Sequence, residues 1–266
     1  MIGVLSMSKY ILYIFFIVVG VVFVYLSILK ELGYIILGFF VIDIIKTALE
    51  NHSDLLLWLK CKTFYVNKDI RISASYLFRI KIDGKYLLIR GARIKSQFQP
   101  VGGVYKRLPE AVDIFNQLKI RDDDCIPIDQ SSKDDLRLRM SGKNIPTFIS
   151  WYKSGKQREN SVFREFYEEL IRTEILCREV FPYINYRFVC RKQTDISYVD
   201  YFSCYEILIA DIYELIPDEK QKEELIRLMN CENTGFIWAE EKMIRSKGVS
   251  PNDLDQKISE TSKWIL

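Results

Sequence analysis

From Tyr10 to Leu29 the chain runs for about 20 residues without a charge, YILYIFFIVVGVVFVYLSIL. An α-helix rises ~1.5 Å per residue, so this stretch matches a bilayer core of ~30 Å. No other feature restricts the chain as much, because a helix that is apolar all round must be buried in lipid or in a large core. A signal peptide has a shorter apolar core of ~7–15 residues, followed by small residues at a cleavage site. This run lacks that site and continues into a second apolar stretch, so it reads as a transmembrane helix.

Lys30 and Glu31 interrupt the run, and Leu32 to Ile45 follows as LGYIILGFFVIDII, with Asp43 its one acid. Counted to Leu49, it crosses a bilayer if the lipid thins or Lys46 snorkels. The expectation is a transmembrane hairpin over residues 1–49, with spans at about 10–29 and 32–49 and a tight turn between them. Tyr10, Tyr13, Tyr25 and Tyr34 suit the two interfaces, and Lys9, Lys46, Lys60 and Lys62 place both ends in the cytoplasm. Asp43 is either a functional intramembrane acid or a headgroup-level neighbour of Lys46. Residues 50–69 read as a juxtamembrane helical linker, with Ser53 capping DLLLWLKC and an apolar stripe of Leu55, Trp58 and Leu59.

The length of 266 residues leaves room for a globular domain after the hairpin, and the net charge of +3 is too mild to argue for a nucleic-acid partner. Cys61, Cys125, Cys177, Cys190, Cys204 and Cys231 have irregular spacing and no CxxC pair. That pattern suits reduced thiols better than a zinc site. His52 is the one histidine and precedes the globular part, which argues against a His-based triad or a His metal site.

Within the globular part, Arg158 to Arg172 reads RENSVFREFYEELIR. On a helix, Phe163, Phe166, Tyr167, Leu170 and Ile171 form one apolar face, and Glu165, Glu168 and Glu169 gather opposite it. Asn160 or Ser161 suits the cap. The carboxylates repel one another unless they are solvated, paired with a cation such as Arg172, or bound to a hard divalent ion such as Mg²⁺ or Mn²⁺.

The surrounding order is a strand hairpin, the turn FQPVGG at Phe98 to Gly103, this helix, further strands, GFIWAEE at Gly235 to Glu241, and a closing helical segment. It resembles the Nudix family over about Ser73 to Leu266. Arg164, Glu165, Phe166, Glu168 and Glu169 match the RExxEE core of the family's box. Ser150, Lys156, Ile171 and Arg172 depart from it, replacing a Gly, a Glu, a Gly and an apolar residue. The resemblance implies an α+β fold, an α/β/α sandwich with a mixed sheet, over 70–266. It also implies Mg²⁺ or Mn²⁺ at Glu165, Glu168 and Glu169. No residue is assigned as catalytic, because the box is degenerate.

Tyr76 to Ile82 alternates and ends in Asp83-Gly84, which is a hairpin signal. Gly102 and Gly103 would let backbone N–H groups approach a phosphate, with Arg90, Arg93 and Arg164 nearby as nucleotide-binding candidates. Some 60 residues separate Gly103 from Arg164, an insertion at about 105–159 that a compact family member lacks. In it, Leu108 to Leu118 reads as a helix and Asp122-Asp123-Asp124 as a solvated loop. Leu136 to Tyr152 reads as a β-hairpin around SGKN. Tyr183 to Cys190 and Tyr198 to Asp211 read as strands, Pro217 to Met229 as an amphipathic helix and Asp253 to Leu266 as the closing helix. Trp238 reads as a core or cap aromatic.

Two spans, a QPVGG turn, a long insertion and a degenerate box together resemble the SMODS-associated Nudix proteins of CBASS anti-phage systems. That resemblance implies a membrane effector, with a partner nucleotidyltransferase making a cyclic nucleotide that the Nudix domain senses. The hairpin would self-associate and disrupt the inner membrane. The competing reading is a membrane-anchored, metal-dependent hydrolase of a nucleoside diphosphate derivative.

Overall fold

A computed structural model describes residues 15–25, 31, 33–39, 42, 46, 52–91, 97–125, 129, 132–231, 234–248 and 257–266. In chain order the elements are helix α1 (His52–Thr63), strands β1 (Asp69–Arg79), β2 (Lys81–Ile82), β3 (Lys85–Arg90), β4 (Phe98–Gln99) and β5 (Gly102–Val104), helix α2 (Val112–Leu118), strands β6 (Arg121–Asp122) and β7 (Arg137–Ser141), helices α3 (Ile145–Ser154) and α4 (Phe163–Phe166), strands β8 (Tyr186–Gln193), β9 (Ser197–Val199) and β10 (Cys204–Leu215), helix α5 (Glu219–Met229), strand β11 (Phe236–Glu240) and helix α6 (Glu241–Arg245). They form two compact units. One holds the residues up to Asn67 with Ser141–Lys156, and the other holds Lys68–Met140 with Gln157–Leu266.

In the first unit, residues 15–25 and 33–39 are helical. Among the described residues, no helix is long and apolar enough to cross a membrane. Residues 42 and 46 are helical as well, and the rest of the two expected spans, Asp43 included, lies outside the described residues. The two helical pieces meet at glycines. A Cβ added at Gly20 would lie 2.9 Å from Leu37 Cγ, and one at Gly33 would lie 3.0 Å from the Gly20 carbonyl oxygen. Phe15, Val21, Ile35 and Phe39 are each more than half exposed, so the outer faces are apolar.

Helix α1 packs with α3 in the same unit. Ser141 Oγ donates to the Val66 carbonyl at 2.6 Å, and Lys153 Nζ pairs with Asp54 at 2.5 Å. A Cβ on Gly142 would come within 2.0 Å of the Tyr65 carbonyl oxygen. The β-hairpin expected over Leu136 to Tyr152 does not form. Strand β7 is its first arm, but the chain turns helical from Ile145. Pro146 sits in the first turn of α3, where its missing N–H costs nothing. Ile145, Phe148, Ile149 and Tyr152 recur at helical spacing and are all buried. Ser53 lies inside α1 rather than at its cap.

In the second unit, β1 is the spine. It runs parallel to β10 from Ile70 opposite Tyr205 to Arg79 opposite Glu214, and β5 pairs antiparallel to it. The mixed sheet has seven strands in the path β6-β7-β1-β10-β8, with β5 on β1 and β9 on β10. Strands β2, β3, β4 and β11 form a second, four-stranded sheet. The chain changes sheets between Gln99, which pairs with β3, and Gly102, which pairs with β1. Pro100 falls at that crossing, where it has no N–H to give to either ladder. The expected Asp83-Gly84 turn is present, both residues having positive φ at 46° and 81°.

Helix α4 packs on one face of the large sheet, and the small sheet with helix α6 packs on the other. Leu77, Ala210 and Ile212 pack against Leu88 and Ala239 on one face of the large sheet. On the other, Phe78 meets Phe166 of α4 with ring centroids 5.5 Å apart. The expected mixed sheet is present, and on the face that carries the small sheet Ile244 of α6 joins the same core. Of the expected solvated run, Asp122 and Asp124 are exposed but Asp123 is buried. Each pairs with an arginine, Arg107 at 2.6 Å, Arg71 at 2.8 Å and Arg139 at 2.8 Å. Arg71 is buried and also pairs with Glu206, so the insertion is tied into the sheet by neutralised charge.

Of the closing helix expected over Asp253 to Leu266, residues 253–256 lie outside the described residues, and 257–259 are not helical. Lys257 and Ser259 exchange backbone hydrogen bonds with Phe98, both at 2.8 Å, in the manner of a strand. That leaves a 3-10 turn over Glu260–Ile265. Trp238 lies on β11 opposite Leu87, and its buried Nε1 has no partner among the described residues.

Candidate functional site

The glutamate helix starts later than its sequence suggests. Gln157 has φ 61°, and Arg158 and Glu159 remain extended, with Glu159 N donating to the Lys106 carbonyl at 2.8 Å. Ser161 Oγ accepts from Phe163 N at 3.3 Å. After one α turn the helix widens into a π turn over Tyr167–Ile171, closed by Arg172 N donating to the Tyr167 carbonyl at 2.8 Å. Such turns re-aim side chains. The apolar face survives, with Phe166, Leu170 and Ile171 buried. Ile171, in the position of the family's glycine, is anchored in that core.

The glycine pair of β5 is explained by close approach. Gly102 has φ 149°, and a Cβ there would lie 2.1 Å from the Tyr76 carbonyl oxygen. A Cβ on Gly103 would lie 2.2 Å from Glu165 Cδ. Gly102 N donates to Glu169 Oε2 at 2.8 Å, so this N–H faces a carboxylate of the chain itself. Burial pushes the Glu169 carboxyl up to about 8, opposed by that bond and reinforced by Glu165 and Glu168. Burial also raises Glu165, against the pull of Arg164.

Arg164 is fully engaged. Its Nε and Nη2 meet the two oxygens of Glu159 at 3.0 and 3.1 Å, Nη2 donates to the Val104 carbonyl at 2.9 Å, and Nη1 meets Glu165 at 2.5 Å. Glu168 is the most exposed of the three acids and lies 3.9 Å from Arg164. Among the described residues, the ligand atoms of Asp123, Asp124 and Cys125 lie within 4.8 Å of one another, a spacing the three glutamates do not reach. The glutamates' oxygen chemistry fits Mg²⁺ or Mn²⁺. Arg164 and Gly102 each take one oxygen of Glu165 and Glu169, so an ion there would share these carboxylates with the protein's own donors.

These residues border a cleft of about 660 Å³, which is the size of a small-molecule site. Gly102, Gly103, Arg164, Glu165, Glu168 and Glu169 all line it. Arg90 does not. It lies on β3 in the small sheet, donates to the Thr234 carbonyl at 2.9 Å and covers the Phe98 ring at 5.0 Å. Arg93 lies outside the described residues.

Sequence reasoning missed other walls of the cleft, namely Ser73, Ser75, Arg137, Arg172 and Trp264. Arg172 was weighed as a partner for the glutamates, but its side chain has none among the described residues. The Leu136, Leu138, Met140 alternation did contain the signal for Arg137, because period-2 burial sends Arg137 to the other face. Nothing local marked Trp264.

A search of curated proteins finds no match to the chain. A family model, the SMODS-associated NUDIX domain, matches residues 69–266, which is the second unit with the segment inserted into it. The chain belongs to the SMODS-associated NUDIX domain family.

Proposed function

We propose that this protein is the membrane effector of a CBASS-type anti-phage system. A partner nucleotidyltransferase makes a cyclic nucleotide, the NUDIX domain binds it, and the N-terminal hairpin self-associates and disrupts the bacterial inner membrane. Both termini lie in the cytoplasm. One observation supports binding over turnover. The two box carboxylates nearest the glycine turn are held by the protein's own donors, Glu165 by Arg164 and Glu169 by Gly102 N. A group that must activate water needs placement to about 1 Å, while a binding cleft tolerates such a loss. Mg²⁺ or Mn²⁺, held weakly by Glu165, Glu168 and Glu169, would supply charge neutralisation next to a phosphate.

The apolar outer faces of the N-terminal helical pieces, and their glycine contact, support the hairpin reading, since small residues let membrane helices approach closely. A second reading has its own support: all three glutamates line the cleft, so the protein would be a membrane-anchored hydrolase of a nucleoside diphosphate derivative. The test is to incubate the purified full-length protein with cyclic di- and trinucleotides and with nucleoside diphosphate derivatives, with Mg²⁺. The effector reading expects saturable binding of a cyclic nucleotide that is recovered intact. Many turnovers of a diphosphate derivative, with no cyclic nucleotide bound, would establish the hydrolase.

A further inference from the structure

The cleft has two unlike ends, set by β1. Ser73 and Leu77 both line it and are four residues apart, which is ~13 Å along a strand at ~3.3 Å per residue. At the Ser73 end, Ala74 N donates to the Leu136 carbonyl at 3.0 Å, which brings Arg137 alongside. Arg137 is held by Asp135 at 3.2 Å, and Asp135 also meets Lys106 at 3.3 Å. Two cations therefore face one carboxylate there, and the Ser73 hydroxyl has no partner among the described residues.

The Leu77 end differs. Leu77 is the register partner of Gly102, whose N–H is taken by the buried Glu169 carboxyl. Beside it lie Pro100 and Trp264. Trp264 is fixed in place: Arg79, two residues beyond Leu77 on β1, donates to the carbonyls of Ile265 at 2.6 Å and Leu266 at 2.7 Å. An uncharged aromatic ring at this end would meet an indole, a proline and a leucine.

From this asymmetry we infer that the cleft binds a nucleotide in one direction, with a phosphate on Arg137 and Ser73 and a base stacked on Trp264. This rests on the reading of the domain as a nucleotide sensor and adds the recognition residues. Phosphate recognition then runs through a guanidinium, and a cation at the glutamates is not required for it.

Calorimetry on the full-length protein in detergent micelles tests this, with a cyclic diadenosine dinucleotide, ADP and adenosine as probes, in EDTA and in Mg²⁺. The cyclic dinucleotide should bind in EDTA. Trp264→Ala should weaken it roughly ten- to a hundredfold, the range for loss of a base–aromatic stack. Trp264→Phe should restore most of the affinity, which separates stacking from a folding defect. Arg137→Gln should weaken both nucleotides but leave adenosine within twofold.

If ADP binds with this Trp264 and Arg137 dependence and the cyclic dinucleotide does not, the orientation stands and the cyclic-nucleotide reading fails. The inference is overturned if binding requires Mg²⁺ and is abolished by Glu168→Gln, while Trp264→Ala and Arg137→Gln change it less than twofold. It is also overturned if no probe binds.

Discussion

The carboxylate of Glu169 accepts the backbone N–H of Gly102 at 2.8 Å, joining the glutamate helix to the glycine turn. The bond has a pH signature. Burial raises the Glu169 carboxyl to about 8, so the folded protein holds a proton that the unfolded chain releases near its ordinary value of 4.5. The unfolded state then binds fewer protons, and stability falls as pH rises from about 4.5 to 8. Glu169→Gln, which mimics the protonated form, should flatten this dependence. Melting curves in EDTA from pH 5 to 9 check it, and a mutant that loses stability in parallel with wild type would refute the assignment.

Gly103 is required by its neighbour rather than by its own backbone. A Cβ there would overlap Glu165, so Gly103→Ala should cost about 1–3 kcal/mol as overpacking. Combining it with Glu165→Ala should recover much of that loss, because the clashing atoms are gone. Chemical denaturation of the four proteins gives the coupling directly. Additive losses would show that the glycine is needed for another reason.

The N-terminal contact gives a matched pair of substitutions. Gly33 approaches the Gly20 carbonyl oxygen, while a Cβ on Gly38 would meet nothing within 4 Å. Gly33→Leu should separate the helical pieces and reduce membrane depolarisation in cells, and Gly38→Leu should leave it unchanged. Equal effects from the two would sink the proposed pairing.

Much of the second unit was legible in the sequence because its signals are local. The Asp83-Gly84 turn, the amphipathic helix expected over Pro217 to Met229, and the apolar face of Phe166, Leu170 and Ile171 each depend on residues close in sequence. The glutamates and glycines were legible because motif spacing records their meeting. What failed depends on distant partners. Arg90 follows β3 into the second sheet, and the late start of α4 depends on Lys106 pairing with Glu159. Trp264 reaches the cleft only because Arg79 and Phe98 hold the closing segment there. The insertion was misread because Ile145 to Tyr152 is apolar enough to suit either element, and the position of Pro146 decided for a helix.

Trp238 offers a check on burial. An unpaired buried donor costs ~1–3 kcal/mol, so Trp238→Phe removes a penalty as well as a contact. The net loss should stay under about 1 kcal/mol in urea melts. A loss of several kcal/mol would mean that Nε1 has a bonding partner in solution.

The central claim is that occupancy of the cleft, without turnover, drives the membrane output. The most direct measurement follows membrane potential in bacteria that express the full chain together with an inducible cyclic-dinucleotide synthase. Depolarisation should follow induction in wild type and persist in Glu168→Gln, but be lost in Arg137→Gln. Depolarisation lost in Glu168→Gln and kept in Arg137→Gln would contradict the account. So would its absence throughout, if the purified protein turned over a nucleoside diphosphate derivative many times with Mg²⁺.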